Sequence, residues 1–207
     1  MDNYQIDQVK PSIYKLKPGD LLVIYPNDHN LYVVVQGLMV VNKLFSNGEK
    51  FSLDLIQTGY VIKKMFKPKT RYNYCYEITP LELTYIINIS GTEKYLSQQY
   101  YRHYFSDDTH SRISFTGLYA QKNIKNRIIH LLLLLSEVTG HTIKTSLILH
   151  IELPYKLIAT ITGSTRNTVS KIINQMEADH ILSYYSRQII IHDLSILHQY
   201  STGIVPK

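Results

Sequence analysis

The chain has one cysteine, Cys75, among its 207 residues. A single cysteine excludes an intrachain disulfide, and it excludes zinc sites and iron–sulfur clusters that depend on several thiolates. A protein without disulfides is typical of a reducing compartment. Cys75 lies between two tyrosines in a strand-like segment, where we expect an inert thiol rather than a nucleophile.

Long apolar runs are also missing. The longest one, residues 128–135, is far shorter than the roughly 20 residues that a membrane helix needs. The first ten residues include Asp2 and Asp7 and lack the apolar centre of a secretory signal. We therefore expect a soluble, intracellular protein with no membrane partner.

The sequence patterns of common enzyme sites are absent. The nine histidines form no His-Glu-x-x-His pair, and the chain has neither a Gly-x-Ser-x-Gly elbow nor a glycine-rich phosphate loop. These absences predict a protein that is not an enzyme and that needs no cofactor or metal.

Acidic residues are outnumbered by basic ones. The chain has 22 Lys and Arg against 16 Asp and Glu, which gives a net charge of +6 and a pI near 9.2. A basic balance favours a polyanionic partner such as nucleic acid. The densest basic run contains Lys63, Lys64, Lys67, Lys69 and Arg71. This run is either an anion-attracting surface or, more simply, a solvated loop.

The first 90 residues alternate short apolar runs with turn residues. The runs cover residues 21–25, 31–35 and 38–41. Residues 46–48, Ser-Asn-Gly, are typical of a hairpin turn, and apolar and polar residues alternate over 51–55 as in a half-buried strand. Further strand-like segments between residues 71 and 87 are interrupted by Pro80. Many short strands with frequent turns predict a barrel or a sandwich.

Beyond Gly91 the pattern becomes helical. Residues 93–135 contain no proline and one glycine, so we expect helices across this range. Residues 147–153 resemble a short strand. Two further strands are predicted on either side of Ser186 and Arg187 as a hairpin, at 181–185 and 188–192, and a closing helix is expected from Leu194.

The most informative segment covers residues 153–176, which predict two helices joined by a glycine turn. Apolar residues of the second helix follow the spacing of one helix face: Val169, Ile172, Ile173 and Met176. Its other face is polar and cationic: Asn167, Ser170, Lys171 and Asn174, with Arg166 on the first turn. Short polar and cationic groups on one helix face suit a DNA major groove. The alternative is an ordinary helical hairpin.

Individual residues of this segment have predicted roles. Gly163 can take the left-handed conformation that ends a helix, and Ser164 or Thr165 can cap the next one. Arginine can bridge guanine O6 and N7, whereas lysine and hydroxyl groups suit phosphates. Arg187, at the tip of the hairpin, could contact the DNA backbone. The predicted DNA-binding residues are Ser164, Thr165, Arg166, Asn167, Thr168, Ser170, Lys171 and Arg187.

The residues Ile158-Ala159-x-x-x-Gly163-Ser164-Thr165-Arg166-x-Thr168-Val169-Ser170-Lys171 resemble the C-terminal domain of the Crp/Fnr family of transcription regulators. Motifs at 17–20, 31–37, 47–49 and 58–59 resemble the β-roll sensor domain of that family, in the same order. The resemblance implies an α+β chain with three parts. These are a β-roll sensor domain over 1–95, a helical linker and dimerisation helix over 96–127, and a winged helix-turn-helix domain over 128–207.

The resemblance further implies a homodimer that binds a palindromic site in double-stranded DNA, with one recognition helix per half-site. Arg166 would be the main base-reading residue, and RNA polymerase would be a partner. Within the family, residues 163–169 are similar to the cyanobacterial nitrogen regulators. The composition, which is rich in Lys, Asn, Ile and Tyr, suggests an AT-rich genome. Together these features suggest a plastid stroma or a bacterial-type cytoplasm.

The resemblance also bears on the effector. Family members that bind cyclic nucleotides use a Gly-Glu pair that residues 61–71 lack, so cyclic AMP is not expected. The nitrogen regulators bind 2-oxoglutarate, and Arg71 and Arg127 match basic positions that would contact such an anionic effector. Alternatively, both arginines form ordinary ion pairs and the pocket has decayed. A further alternative for the whole chain is an interaction module of the same fold that no longer binds DNA.

Overall fold

The computed structural model describes residues 11–26, 28, 30–62, 73–89, 111–144 and 146–202. The packing of Cα atoms divides the chain into two compact units, Met1–Ser114 and Phe115–Lys207. Across these described ranges, helices are all too short or too polar to cross a membrane.

Unit 1 is built of antiparallel strands. Its described strands are β1 (Pro11–Leu16), β2 (Leu22–Ile24), β3 (Leu31–Gln36), β4 (Leu38–Phe45), β5 (Lys50–Gln57), β6 (Val61–Ile62), β7 (Tyr74–Pro80), β8 (Thr84–Ile89) and β9 (Arg112–Ser114). They form two sheets, with the orders β1-β8-β3-β6 and β2-β7-β4-β5-β9. The predicted short strands and the turn at residues 46–48 are confirmed.

The core of unit 1 is formed by aliphatic side chains that point inward from the two sheets. Val34 and Ile86 from one sheet, and Val41, Ile56 and Ile78 from the other, are all buried. Branched side chains pack well on a pleated surface, and burying each contributes roughly 1.5–3 kcal/mol. The alternating burial along β8 shows the period of two that one buried sheet face requires.

The strand predicted over residues 51–55 is confirmed, but its buried face is polar at one end. Ser52 and Asp54 are buried, whereas Phe51 is 42% exposed. The ladder between β4 and β5 shifts beside Asn42, and the Ser52 hydroxyl donates to Asn42 Oδ1 at 2.6 Å. A bulge rotates the strand locally, and a hydrogen bond offsets the cost of burying the polar pair.

The helical prediction for residues 93–135 is wrong at β9. Ile113 pairs with Leu55, and the Arg112 guanidinium lies 3.0 Å from the buried Asp54 carboxylate. A buried carboxylate needs a counter-charge, and strand pairing at this sheet edge supplies one. The predicted linker and dimerisation helix covers residues 96–127, of which residues 96–110 lie outside the described residues. Over the described part, 111–127, the chain forms β9, a short helix at Thr116–Tyr119 and the start of another helix at Ile124, so the long helix predicted there is wrong for these residues.

Unit 2 combines helices with a small sheet. Its elements are α1 (Thr116–Tyr119), α2 (Ile124–Thr139), β10 (Gly140–Ile143), β11 (Ser146–Leu149), α3 (Tyr155–Thr162), α4 (Arg166–Ala178), β12 (Leu182–Tyr185), β13 (Gln188–Ile191) and α5 (Leu194–Thr202). The sheet order is β10-β11-β13-β12. The predicted hairpin, β12–β13, and the predicted closing helix are confirmed. The sequence pattern does not predict β10, and the strand expected over 147–153 ends at Leu149.

Helix α2 forms the centre of unit 2. The Asn123 side chain accepts a hydrogen bond from the Asn126 amide at 2.8 Å, which caps the helix. Ile128, Leu132 and Leu135 are fully buried against the surrounding elements. The helix is continuous from residue 124, so the domain boundary predicted between residues 127 and 128 falls inside it.

We expect Gly37→Ala to destabilise unit 1 strongly. Gly37 has φ of +115°, and a Cβ atom there would lie 2.8 Å from the Thr84 Cα. The backbone strain alone costs about 1–3 kcal/mol, and the clash adds to it. Gly48→Ala is the matched control, because φ is +84° there but nothing lies within 4 Å of the added methyl. Urea unfolding measures both losses, and equal losses would contradict the close approach of Gly37 to β8.

Candidate nucleic-acid interface

The two helices α3 and α4 meet at a sharp glycine turn. Gly163 has φ of 65° and ψ of 44°, in the left-handed region. The Ser164 amide donates to the Ala159 carbonyl at 2.9 Å, and the Gly163 amide donates to the Thr160 carbonyl at 3.4 Å. This pair of bonds is the Schellman closure of a helix end. The predicted role of Gly163 is therefore confirmed, and α3 ends at Thr162.

The cap of α4 is Thr165 rather than Ser164. The Thr165 hydroxyl accepts from the Thr168 amide at 3.2 Å, and the two threonine hydroxyl oxygens lie 3.0 Å apart. Ser164 Oγ instead lies 2.9 Å from Thr162 Oγ1, within the turn. Capping by a side-chain oxygen stabilises the helix start by about 1 kcal/mol. It also fixes where the first turn of α4 begins, at Arg166.

One face of α4 is buried as its sequence period predicts. Val169, Ile173 and Met176 have no exposed surface, and Ile172 is half-buried. This face packs on α3, where Ile158 is also fully buried. Because these positions lie on one stripe of the helix, their burial directs the opposite stripe to solvent.

The solvent face of α4 is cationic and amide-rich. The side chains of Arg166, Asn167 and Lys171 are exposed, and those of Thr168 and Ser170 are at least partly accessible. The first turn of α4 carries no acidic residue. The positive end of the helix dipole adds to the charge of Arg166 at this end. The side chains on such a face can donate hydrogen bonds to base edges and to phosphate oxygens.

A pair of tyrosines joins the hairpin β12–β13 to both helices. The rings of Tyr155 and Tyr184 have centroids 4.7 Å apart, the Tyr184 hydroxyl donates to the Leu153 carbonyl, and the Tyr184 amide donates to Glu177 Oε1 at 2.8 Å. Burial raises the pKa of Tyr155, the charge of Glu177 raises it further, and the charge of Arg166 opposes the rise. Sequence reasoning missed this pair, because nothing in the local pattern relates the two positions.

Arg187 lies at the turn of the hairpin, as predicted. Its side chain is 85% exposed, and its Nε lies 3.3 Å from Glu152 Oε1. An ion pair this exposed contributes little energy, so it does not prevent the guanidinium from pairing with another anion.

One of the two predicted effector contacts, Arg127, lies in α2. It donates from Nε to the Gln121 carbonyl at 3.2 Å and from Nη1 to the Thr162 carbonyl at 3.0 Å. Both partners are backbone groups of unit 2, which the resemblance did not predict. The other predicted contact, Arg71, lies outside the described residues together with the basic run from Lys63 onward.

The chain matches the model of the Crp-like helix-turn-helix domain over residues 126–200. It is 27% identical to the HTH-type transcriptional regulator ycf28 of Porphyra purpurea, over 90% of this chain and 81% of that protein. It is 20% identical to the global nitrogen regulator of Synechocystis sp. (strain ATCC 27184 / PCC 6803 / Kazusa), over 94% of this chain and 91% of that protein.

Solved structures show the same fold. A CRP-family transcriptional regulator of Thermus thermophilus, TTHB099, matches with a TM-score of 0.67 at 15% identity, over 94% of this chain and 98% of that one. A CooA mutant of Carboxydothermus hydrogenoformans matches with a TM-score of 0.63 at 20% identity, over 92% of this chain and 88% of that one. The predicted combination of an N-terminal β-rich domain and a C-terminal helix-turn-helix is thereby confirmed.

We expect Tyr184→Phe to destabilise unit 2 at pH 8 by about 1 kcal/mol, because the hydroxyl-to-carbonyl hydrogen bond is removed. Burial raises the pKa of Tyr184 to about 12, from an ordinary value near 10. The neutral phenol therefore stabilises the fold fully below pH 10, and this contribution is lost as the pH rises from 10 toward 12. Urea unfolding should show a smaller difference between wild type and variant at pH 11 than at pH 8.

Tyr185→Phe is the matched control for that experiment. Tyr185 is the next residue of β12, and its side chain is 53% exposed. We expect no difference from wild type at pH 8. A Tyr184→Phe difference that is constant or grows with pH would contradict the buried phenol.

Proposed function

We propose that this chain, a member of the Crp/Fnr family of transcription regulators, binds a palindromic promoter site as a homodimer and reads each half-site with α4. The observation that carries the proposal is the exposed face of α4. There Arg166, Asn167 and Lys171 lie opposite a fully buried apolar stripe. An α-helix of this kind fits the major groove, where base edges distinguish all four base pairs.

The proposed roles follow from the chemistry of each side chain. Arg166, on the first turn, is suited to a bidentate contact with guanine, and Asn167 to an adenine or a neighbouring base. Lys171 and the hydroxyl residues are suited to phosphates, and these hydroxyl residues are Ser164, Thr165, Thr168 and Ser170. Arg187 on the hairpin would contact the backbone beside the groove, as the wing of a winged helix does.

A dimer is proposed because two recognition helices must meet successive major grooves about one helical turn apart. A palindromic site follows from the two-fold symmetry of such a dimer. RNA polymerase is the proposed protein partner, because a promoter-bound regulator acts on transcription through it. Relatives from a red alga and from cyanobacteria support the proposal of a plastid stroma or a bacterial-type cytoplasm.

A small anionic effector, such as 2-oxoglutarate, is proposed to act on unit 1, supported by the relatives named global nitrogen regulators. Among the described residues of unit 1, the buried polar side chains are Asn42, Ser52, Asp54, Glu77, Thr84 and Asn88, none of which is cationic. A dianion requires a cationic partner. The resemblance to the nitrogen regulators supports Arg71, which matches one of their pocket arginines, as the proposed effector contact.

We expect Arg166→Ala to abolish the preference for a palindromic GTA…TAC duplex over a scrambled duplex while the dimer stays intact. Each bidentate arginine–guanine pair contributes about 1–3 kcal/mol of discrimination, and a dimer loses two of them. Fluorescence anisotropy measures the preference, and sedimentation measures the dimer. Unchanged discrimination would refute the assignment of Arg166.

Lys171→Ala provides the contrasting variant. A phosphate contact carries no sequence information, so both duplexes should bind more weakly by a similar factor. The dependence of log Kd on log salt should become shallower by about 1 for each phosphate interaction that the substitution removes. A selective weakening on the palindromic duplex would instead make Lys171 a base-reading residue.

Adding 2-oxoglutarate to wild type tests the effector separately. Tighter binding to the palindromic duplex alone is expected, and Arg71→Gln should remove this response without changing binding in its absence. Equal binding with and without 2-oxoglutarate would overturn this effector and leave the DNA-binding proposal standing.

A further inference from the structure

The guanidinium of Arg127 lies on the turn of the helix-turn-helix. Its Nη1 donates to the carbonyl of Thr162, the last residue of α3, at 3.0 Å. A Cβ atom built on Gly163 would lie 3.5 Å from the same nitrogen, which is van der Waals contact. Arg127 is therefore hydrogen-bonded to the last residue of α3 and lies beside Gly163, where the chain turns toward α4.

The same side chain contacts the segment that leads into α2. Its Nε donates to the Gln121 carbonyl at 3.2 Å, and its carbon Cζ lies 6.0 Å from the centroid of the Tyr119 ring. Tyr119 is the last residue of α1, the first helix of unit 2. One planar cation thus joins three segments: α1, the α1–α2 connection and the end of α3.

The electrostatics of this contact favour an arginine. The last carbonyls of a helix carry a partial negative charge and have no partner within the helix, so a cation there is stabilising. The guanidinium fork directs donors toward two different carbonyls at once, whereas a lysine ammonium is a point charge on a flexible stem. Both acceptors are backbone carbonyls rather than carboxylates, so this arrangement differs from an ordinary surface salt bridge.

We propose that Arg127 is a positioning residue that fixes the turn before α4 to the α1–α2 segment, and so sets the orientation of the recognition helix relative to the chain entering unit 2. The proposal rests on the dimeric DNA binding proposed above. In this role Arg127 determines the orientation of the recognition helix and does not contact the effector. Two recognition helices can engage one palindrome simultaneously only if each is held in a defined orientation.

The experiment compares Arg127→Gln and Arg127→Lys with the control Lys122→Gln in the full chain. Lys122 is exposed and lies in the α1–α2 connection, so its replacement removes the same charge from the same segment. Binding is measured on the palindromic duplex and on a duplex with one half-site scrambled. We expect Arg127→Gln to weaken palindrome binding about tenfold, as for residues that modulate coupling between sites. Half-site binding should change much less, and Lys122→Gln should affect both duplexes alike.

Hydrogen exchange without DNA tests the contact itself. Arg127→Gln should accelerate amide exchange over residues 159–165 and 118–123, and Lys122→Gln should not. Arg127→Lys keeps the charge but loses one of the two hydrogen bonds, so its effects should be intermediate. This variant also carries the test if Arg127→Gln does not fold, which circular dichroism will show.

The results distinguish the positioning role of Arg127 from the proposal of dimeric DNA binding. Equal losses on the palindrome and the half-site duplex, in a folded variant, would overturn the positioning role, because Arg127 would then act on α4 or on DNA directly. Unchanged exchange in the two segments would overturn it as well. A wild-type protein that binds both duplexes equally would refute the dimeric DNA-binding proposal, and the exchange result would still decide whether Arg127 holds the turn.

Discussion

The burial of one stripe of α4 is the constraint on which the candidate interface depends. Val169, Ile173 and Met176 are withdrawn from water, and this orients Arg166 and Lys171 outward without any further device. The hydrophobic stabilisation of the stripe is large compared with any single polar contact on the other face. The exposed face of α4 is thus a consequence of core formation and does not depend on a ligand.

Contacts at both ends of α3 add to this constraint. At its start, Tyr155 packs against Tyr184 and so connects α3 to the hairpin. At its end, Gly163 closes the helix and Arg127 holds the last carbonyl. Each contact links elements that are distant in sequence, so the orientation of the recognition helix is determined by several elements of unit 2 together.

Unit 1 shows a different balance between apolar and polar burial. Most of its core is aliphatic, but β5 directs Ser52 and Asp54 inward, where Asn42 and Arg112 satisfy them. Because a buried carboxylate without its partner is costly, strand β9 is held to the sheet by charge as well as by backbone pairing. Residues 112–114 are the last of unit 1, so this ion pair anchors the chain immediately before unit 2 begins.

The local sequence pattern determined the helix-turn-helix, its buried stripe, its exposed cations and the hairpin that follows. It could do so because the spacing of apolar residues, the capping residues and the turn glycine each act over only a few positions. It also determined most strands of unit 1. Tertiary structure alone decided the partners of Arg127, the packing of Tyr155 against Tyr184, and the strand at residues 112–114 in place of a helix. In each case the stabilising contact is made with a group elsewhere in the fold: a backbone carbonyl, an aromatic ring or the Asp54 carboxylate. A local sequence pattern does not specify which such group will lie beside a given residue.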